Sequence, residues 1–228
     1  MQKNNLFLKN GINFLDEDDD QAAITEFTKA IEFDCDCCQA YYYRGLCKNN
    51  LGKEKESLDD FSMAIEINPN YADAYNMRGL SASDIGDIEN IEYIELAICD
   101  FKKTIEIDPD HFWANYNLGN LLFDYEKYEE AIKYISKGLK LSNCIKLFLI
   151  RGRAYKEVGD TKKANDDFER AISTKDFNDY DESPYKFRGD AKFELSNLKG
   201  ACEDWENSIK HNEPDSDLAD DLLIKYCK

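Results

Sequence analysis

The densest chemistry in the chain is the stretch "DCDCC", Asp34 to Cys38, which sets three thiols and two carboxylates within five residues, with Cys47 nine further along. Thiolates are soft ligands and redox centres, so Cys35, Cys37, Cys38 and Cys47 make one candidate site, for a metal or for thiol chemistry. Cys37 and Cys38 are adjacent and must point in different directions as the next helix begins, which works against a shared ion. The residues are better explained as small apolar side chains at a junction between elements. Elsewhere the catalytic types are sparse. The two histidines, His111 and His211, stand far from any Ser or Cys arrangement that would form a nucleophile and its base. There is no H-E-x-x-H motif and no glycine loop to cradle phosphate. Carboxylates abound, but their scatter is that of solvated helix faces. The expectation is a protein with no catalytic set, no cofactor and no metal.

Charge narrows the partners. Lys and Arg number 29 against 47 Asp and Glu, a net charge of −18. Nucleic acid and anionic membrane surfaces both demand a basic footprint, so neither is an expected partner. No run of about 18 apolar residues offers a membrane span, and the N-terminus has no signal-peptide core. The expected location is the cytoplasm, with the eight cysteines as free thiols.

The elements that must position any site follow from self-similarity. "EINPNYADAYNMRG" (Glu66 to Gly79) returns as "EIDPDHFWANYNLG" (Glu106 to Gly119), and "EFDCDCCQAYYYRG" (Glu32 to Gly45) is the same phrase with substitutions. Gly11, Gly45, Gly79, Gly119, Gly152 and Gly189 mark six repeats, at intervals of 34, 34, 40, 33 and 37 residues. Twelve residues after five of these glycines comes Ala23, Ser57, Ala131, Ala164 or Ala201, and the third repeat has Ala97 at eighteen. Four further on stands a large apolar residue, Phe27, Phe61, Phe101, Ile135, Phe168 or Trp205, and three beyond it Ala30, Ala64, Thr104, Gly138, Ala171 or Ser208. Spacing of four and then three is one face of a helix. Each repeat therefore reads as two antiparallel helices, with glycine on the first and alanine on the second letting the two backbones approach closely, and Phe or Trp one turn later filling the gap to the next pair. Glycine inside a helix costs about 1 kcal/mol against Ala, and close helix contact is the reason to keep six in register.

At these residues the chain resembles the tetratricopeptide repeat family, whose unit of about 34 residues carries W-x2-L-G-x2-Y, then A-x3-F, then P. "YNLGNLLFDYEKYEEAIKYI" (Tyr116 to Ile135) and "YNMRG" (Tyr75 to Gly79) carry the likeness most directly. The resemblance implies an all-α fold, a right-handed superhelical α-solenoid of helix-turn-helix pairs in one domain, 1–228. Its repeats would run 4–37, 38–71, 72–111, 112–144, 145–178 and 182–213, with a capping helix at 215–228 and thirteen helices in all. The third repeat carries six extra residues, and Ile88, Ile91, Ile94, Ile98 and Phe101 keep the helical rhythm, so a helix lengthened by about 9 Å is expected near 87–95. "DFNDYDESP" (Asp176 to Pro184) reads as a longer acidic connection. Arg replaces the family's Leu before the glycine in four repeats, and Asn in the first.

In this family the first helices line a concave groove. Its positions correspond here to Tyr42, Leu46, Asn76 and Leu80, then Trp113, Tyr116, Asn117 and Asn120, then Lys146, Arg153 and Lys186. Rings, amides and cations are what a groove needs to hold an extended peptide. The family's clamp for chaperone C-termini is incomplete, because Ile150 stands where its Arg belongs and Asn76 where its Lys belongs. The function implied is a non-enzymatic scaffold binding a peptide or protein; the alternative is a thiol or metal protein built on the cysteine cluster. "GACEDWENSIK" and "LLIKYC" resemble closing segments of bacterial members of the family, where Cys202 and Cys227 could be bridged; free buried thiols are the expectation for a cytoplasmic chain.

Overall fold

The computed structural model describes residues 2–86, 90–174 and 182–227, with side chains from residue 6 onward. Among the described residues there are thirteen α-helices and no strand. They run in pairs: α1 (Gln2–Asp16) with α2 (Asp20–Phe33), α3 (Cys38–Asn50) with α4 (Glu54–Ile67), and α5 (Ala72–Ile85) with α6 (Ile91–Ile107). Next come α7 (Phe112–Asp124) with α8 (Tyr128–Leu141), α9 (Ile145–Glu157) with α10 (Thr161–Ser173), and α11 (Pro184–Glu194) with α12 (Leu198–Lys210), followed by α13 (Ser216–Tyr226). The chain divides into two compact units, Met1–Asn117 and Leu118–Lys228, and the division falls within α7. None of the described helices is long and apolar enough to cross a membrane.

Five pairs close through the same turn. Asp18, Gly52, Glu126, Gly159 and Ser196 adopt left-handed backbone, with φ from 58° to 84°. The residue after each donates its N–H to a carbonyl five positions back: Asp19 to Phe14, Lys53 to Lys48, Lys127 to Leu122, Asp160 to Tyr155 and Asn197 to Lys192. This satisfies carbonyls that a helix end would otherwise orphan, and Gly52 and Gly159 supply the conformation without a Cβ penalty. The third pair differs. Gly86 has φ −71° and leaves α5 in extended backbone. The second helix of that pair, α6, then runs 17 residues against 14 in α2 and α4, a lengthening of about 4.5 Å at the helical rise. Of the extension expected near 87–95, the described part begins at Ile91, with Asn90 before it. Residues 87–89, Ile88 among them, lie outside the described residues, as do residues 175–181 of the acidic connection.

Three second helices, α2, α10 and α12, begin on side-chain caps. Asp19, Asp160 and Asn197 accept from the N–H groups of Ala22, Lys163 and Gly200 at 3.0, 3.2 and 3.0 Å, which satisfies one orphan donor in each helix. The first three junctions between pairs are each made by an aspartate or asparagine turn. Asp34 Oδ1 accepts from Asp36 N–H at 3.2 Å, as Asn68 does from Asn70 and Asp108 from Asp110. "DCDCC" is thus one copy of a junction that recurs with other residues.

The core is made where each repeat glycine meets the large apolar residue of its partner helix, an aromatic in five repeats and Ile135 in the fourth. In the first unit Phe27, Phe61 and Phe101 are sealed from solvent, and a Cβ placed on Gly45 would lie 2.8 Å from the Phe61 ring. In the second unit Phe168 and Trp205 are equally buried, and a Cβ on Gly189 would lie 2.7 Å from the Trp205 ring. Burying one such ring is worth about 1.5–3 kcal/mol. The start of α11 is fixed by Glu213, which is 7% exposed and accepts from the N–H groups of Tyr185 and Lys186 at 2.9 and 3.1 Å. A carboxylate there complements the positive end of the helix dipole.

Candidate functional site

Four first helices are anchored by a buried ion pair placed one residue before the repeat glycine. Arg44 donates from Nε and Nη2 to the two oxygens of Asp60 at 3.0 and 2.7 Å, and Arg78 to those of Asp100 at 2.7 and 2.8 Å. In the second unit Arg151 binds Asp167 at 2.7 and 2.7 Å, and Arg188 binds Asp204 at 2.8 and 2.7 Å. Nη1 reaches back to the preceding pair, from Arg44 to Thr28, from Arg78 to Ser62 and from Arg151 to Ser136. A ring three residues earlier, Tyr41, Tyr75, Phe148 or Tyr185, lies 5.2–5.9 Å from each guanidinium carbon. The four aspartates are 2–3% exposed, which corrects the expectation that the carboxylates are solvated. Carboxylates that far from water need a partner, and the bidentate guanidinium is the strongest one available. Donation to Asp100 and Asp204 in turn holds the Arg78 and Arg188 guanidinium groups above their usual value.

The sequence carries this signal. Wherever Arg or Asn precedes the glycine, an acidic residue precedes the aromatic of the second helix: Glu26, Asp60, Asp100, Asp167 and Asp204. In the first repeat the pair is Asn10 to Glu26, at 3.2 Å. The fourth repeat keeps Leu118 and has Tyr134 in the acidic position, both buried.

With the first helices fixed, seven of the residues assigned to a groove fall in the first unit. Tyr42 sits among the rings of Tyr43, Phe61 and Tyr71, at 5.3, 6.0 and 4.9 Å between centroids. Burial, with the Asp73 charge adding to it, pushes its hydroxyl up to about 12. Leu46 and Leu80 are half-buried. Asn76 is buried, and its Oδ1 has no hydrogen-bond partner among the described residues. Trp113 is 39% exposed and stands edge-on to Phe112 and Tyr116, at 5.3 and 5.5 Å. Tyr116 and Asn117 are half-buried. His111 fixes the start of α7: Nδ1 accepts from Ala114 N–H at 3.1 Å, and Nε2 lies 3.3 Å from Asp73 Oδ1. That hydrogen bond holds the Asp73 carboxyl below the usual range.

The second unit holds Asn120, Lys146, Arg153 and Lys186. Arg153 donates from Nε to Glu194 at 2.8 Å and from Nη2 to Asp190 at 3.4 Å, and Lys156 joins Glu194 at 3.0 Å. Lys186 donates to Asp190 at 2.9 Å, whose other oxygen accepts from Trp205 Nε1–H at 3.0 Å. Burial works to raise the Glu194 carboxyl, but Arg153 and Lys156 outweigh it and leave it below its ordinary value. Lys146 and Lys186 each hold an ammonium 5.3 Å from the centre of the Phe187 ring, and the Lys146 charge also acts on Asp124. Arg153 and Lys186, expected to meet a ligand's carboxylates, are already paired within the chain. The repeat pattern does not reveal this, because the partners of Arg153 lie 37 and 41 residues away, on the next first helix. Asn120 is half-buried, and its Oδ1 is sealed without a partner among the described residues.

The cysteines do not form one site. Cys35 is exposed, Cys37 and Cys38 are half-buried and Cys47 is buried against Ala23 and Phe27. Burial, with Asp20 beside it, pushes the Cys47 thiol up to about 12, and burial also raises Cys38. Thiols held protonated are poor ligands and nucleophiles. Exposure of Cys35 departs from the apolar packing expected for it. Among the described residues no three His, Cys, Asp or Glu side chains converge as a metal site. Cys202 and Cys227, expected as free thiols, are joined in a disulfide, because α13 folds back onto α12 and brings them together.

Three family models, each described as a tetratricopeptide repeat, match residues 38–71, 101–133 and 145–178. The chain is a tetratricopeptide repeat protein. No curated protein matches it. Among solved structures, pilF of Pseudomonas aeruginosa is similar at a TM-score of 0.73 and 14% identity, over 98% of this chain and 98% of that one. A tetratricopeptide repeat protein from Parabacteroides merdae is similar at 0.69 and 18% identity, over 99% of this chain and 84% of that one. YrrB, a TPR protein described as having an unusual peptide-binding site, is similar at 0.62 and 20% identity, over 73% of this chain and 83% of that one. At these identities the likeness shows the fold, an all-α helical-repeat solenoid. The repeats support a protein-interaction scaffold. The Arg-for-Leu departures from the family pattern are the guanidinium half of the buried ion pairs.

Proposed function

We propose that this tetratricopeptide repeat protein is a non-enzymatic interaction module that holds an extended peptide segment of a partner against the first helices of its first unit. Trp113 carries the proposal. A tryptophan left 39% exposed while two neighbouring rings fix its orientation is a rigid, amphipathic anchor of the kind that dominates binding energy. Tyr42, Leu46 and Leu80 add ring and aliphatic surface in the same unit, and the Asn117 amide can bond a peptide backbone. None of the seven groove positions there is charged, so the segment is anchored by apolar side chains. Neutralisation of Arg153 and Lys186 by Asp190 and Glu194 weighs against capture of a carboxylate by the second unit. The peptide-binding site ascribed to YrrB is consistent with peptide binding by this architecture. Burial raises the Cys38 and Cys47 thiols, which works against the thiolate form that a metal ligand takes.

Selection from a displayed library of random peptides against the immobilised full chain tests the proposal. The peptides recovered should be rich in apolar residues, and Trp113→Ala should weaken their binding by about 2 kcal/mol or more, as truncation of an interface anchor does. Peptides that bind the wild type and Trp113→Ala equally would remove these helices from the function.

A further inference from the structure

Cys202 lies on α12 and Cys227 just beyond α13, 25 residues apart and covalently joined. The element they tie down is weakly held. α13 has 11 residues, of which Ala219 and Leu223 are the buried ones, while Leu218 and Ile224 stand 53% and 56% exposed. A helix so short is not stable in water by itself, so its order depends on what fastens it. The surface beneath is apolar: Ala201 and Trp205 are sealed under it, with Phe193 and Ile209 alongside. The Tyr226 ring covers Phe193 at 4.7 Å and reaches Trp205 at 6.5 Å between centroids. In the repeat register Leu223 falls 34 residues after Gly189, where the other first helices have glycine. With Leu there, α13 cannot admit an aromatic from a partner helix as they do, and it serves as a cover.

We propose that Cys202 and Cys227 are a redox-modification site that latches α13 onto the sixth repeat, closed as the disulfide and released by a dithiol reductant. Both cysteines are partly exposed, so a reductant can reach them. One thiolate of the reductant attacks a sulfur of the bridge, forming a mixed disulfide and expelling the other cysteine as a thiolate, which takes up a proton. The second thiol of the reductant then displaces the protein, leaving two protein thiols and the reductant as a cyclic disulfide. Two electrons pass to the protein and none is left over. Loss of the bridge leaves α13 held by the packing of Ala219, Leu222, Leu223 and Tyr226 and by the hydrogen bond from Asp215 N–H to Ser183 Oγ at its start, and the surface around Trp205 and Phe193 opens. The latch is independent of peptide binding by the first unit.

Hydrogen exchange of the full chain, read by mass spectrometry with and without dithiothreitol, tests it. Amides of 216–227 should exchange at least about tenfold faster after reduction, while α2 and α4 keep their protection. The Cys202→Ser/Cys227→Ser variant should match the reduced wild type without reductant, and emission from Trp205 in a Trp113→Phe background should shift to the red. Equal protection of 216–227 in the oxidised and reduced forms would overturn the latch. So would exchange that rises throughout the second unit, or purified protein whose mass shows both thiols free.

Discussion

Arg151 and Asp167 face each other across α9 and α10 through two parallel hydrogen bonds of 2.7 Å, and Ser136 of the preceding pair holds the remaining arm of the guanidinium at 2.9 Å. One side chain thus ties the two helices of its own repeat to each other and to the repeat before. Removing the arginine strips a carboxylate that is 3% exposed of its bidentate partner. Arg151→Leu should therefore cost about 3–5 kcal/mol in urea unfolding. The fourth repeat meets the same positions with Leu118 and Tyr134, so Arg151→Leu with Asp167→Tyr should recover most of the loss. Equal losses in the single and double variants would show that the pair is not coupled.

At Gly152 a Cβ would lie 2.5 Å from the Phe168 ring. Alanine is the better helix former by about 1 kcal/mol, but overpacking costs about 1–3 kcal/mol, so Gly152→Ala should destabilise on balance. Thermal unfolding beside Gly152→Ala/Phe168→Leu checks the cause, since the smaller partner should relieve the clash. A stabilised Gly152→Ala would mean that the helices can part without loss.

Ser208 occupies the small-residue position of α12, fully buried, and its Oγ has no hydrogen-bond partner among the described residues. Ser208→Ala removes an unsatisfied hydroxyl and should stabilise the chain by about 1 kcal/mol. A lower urea midpoint for the variant would show that the hydroxyl is satisfied in solution.

Acid should weaken the second unit through Glu194. Its folded carboxyl titrates below the ordinary glutamate value of 4.5, since Arg153 and Lys156 outweigh the effect of burial. A depressed carboxyl contributes stability in full above the unfolded value and loses it as pH falls through the lower folded one. The stability difference between wild type and Glu194→Gln should thus be largest near neutrality and shrink below 4.5. A difference that does not change with pH would assign the effect of the substitution to packing.

The fold was legible because its determinants recur at a fixed interval. The spacing announces the helix pairs, but the aromatics expected to fill the gap to the next pair lie instead against the glycine of their own repeat, Phe61 on Gly45 and Trp205 on Gly189. The buried ion pairs were equally periodic, yet Arg44 and Arg78 looked like departures from a family pattern until Asp60 and Asp100 were seen to change with them. Other features were not legible for a physical reason. Arg153 meets Glu194 across 41 residues, and no repeat rule fixes which charge of one repeat answers a charge of the next. The Cys202–Cys227 bridge depends on how α13 turns back over α12. Exposure of Trp113 likewise depends on how Phe112 and Tyr116 share the surface of α7.

The central claim, that the first unit holds a peptide over Trp113, is tested most directly by the fluorescence of that residue. The chain has two tryptophans, and Trp205→Phe leaves Trp113 as the sole emitter. Titrating a selected apolar peptide into this variant should shift the emission to the blue and protect it from acrylamide quenching, saturating at one peptide per chain. Peptide binding detected by calorimetry with no change in the Trp113 signal would contradict the claim.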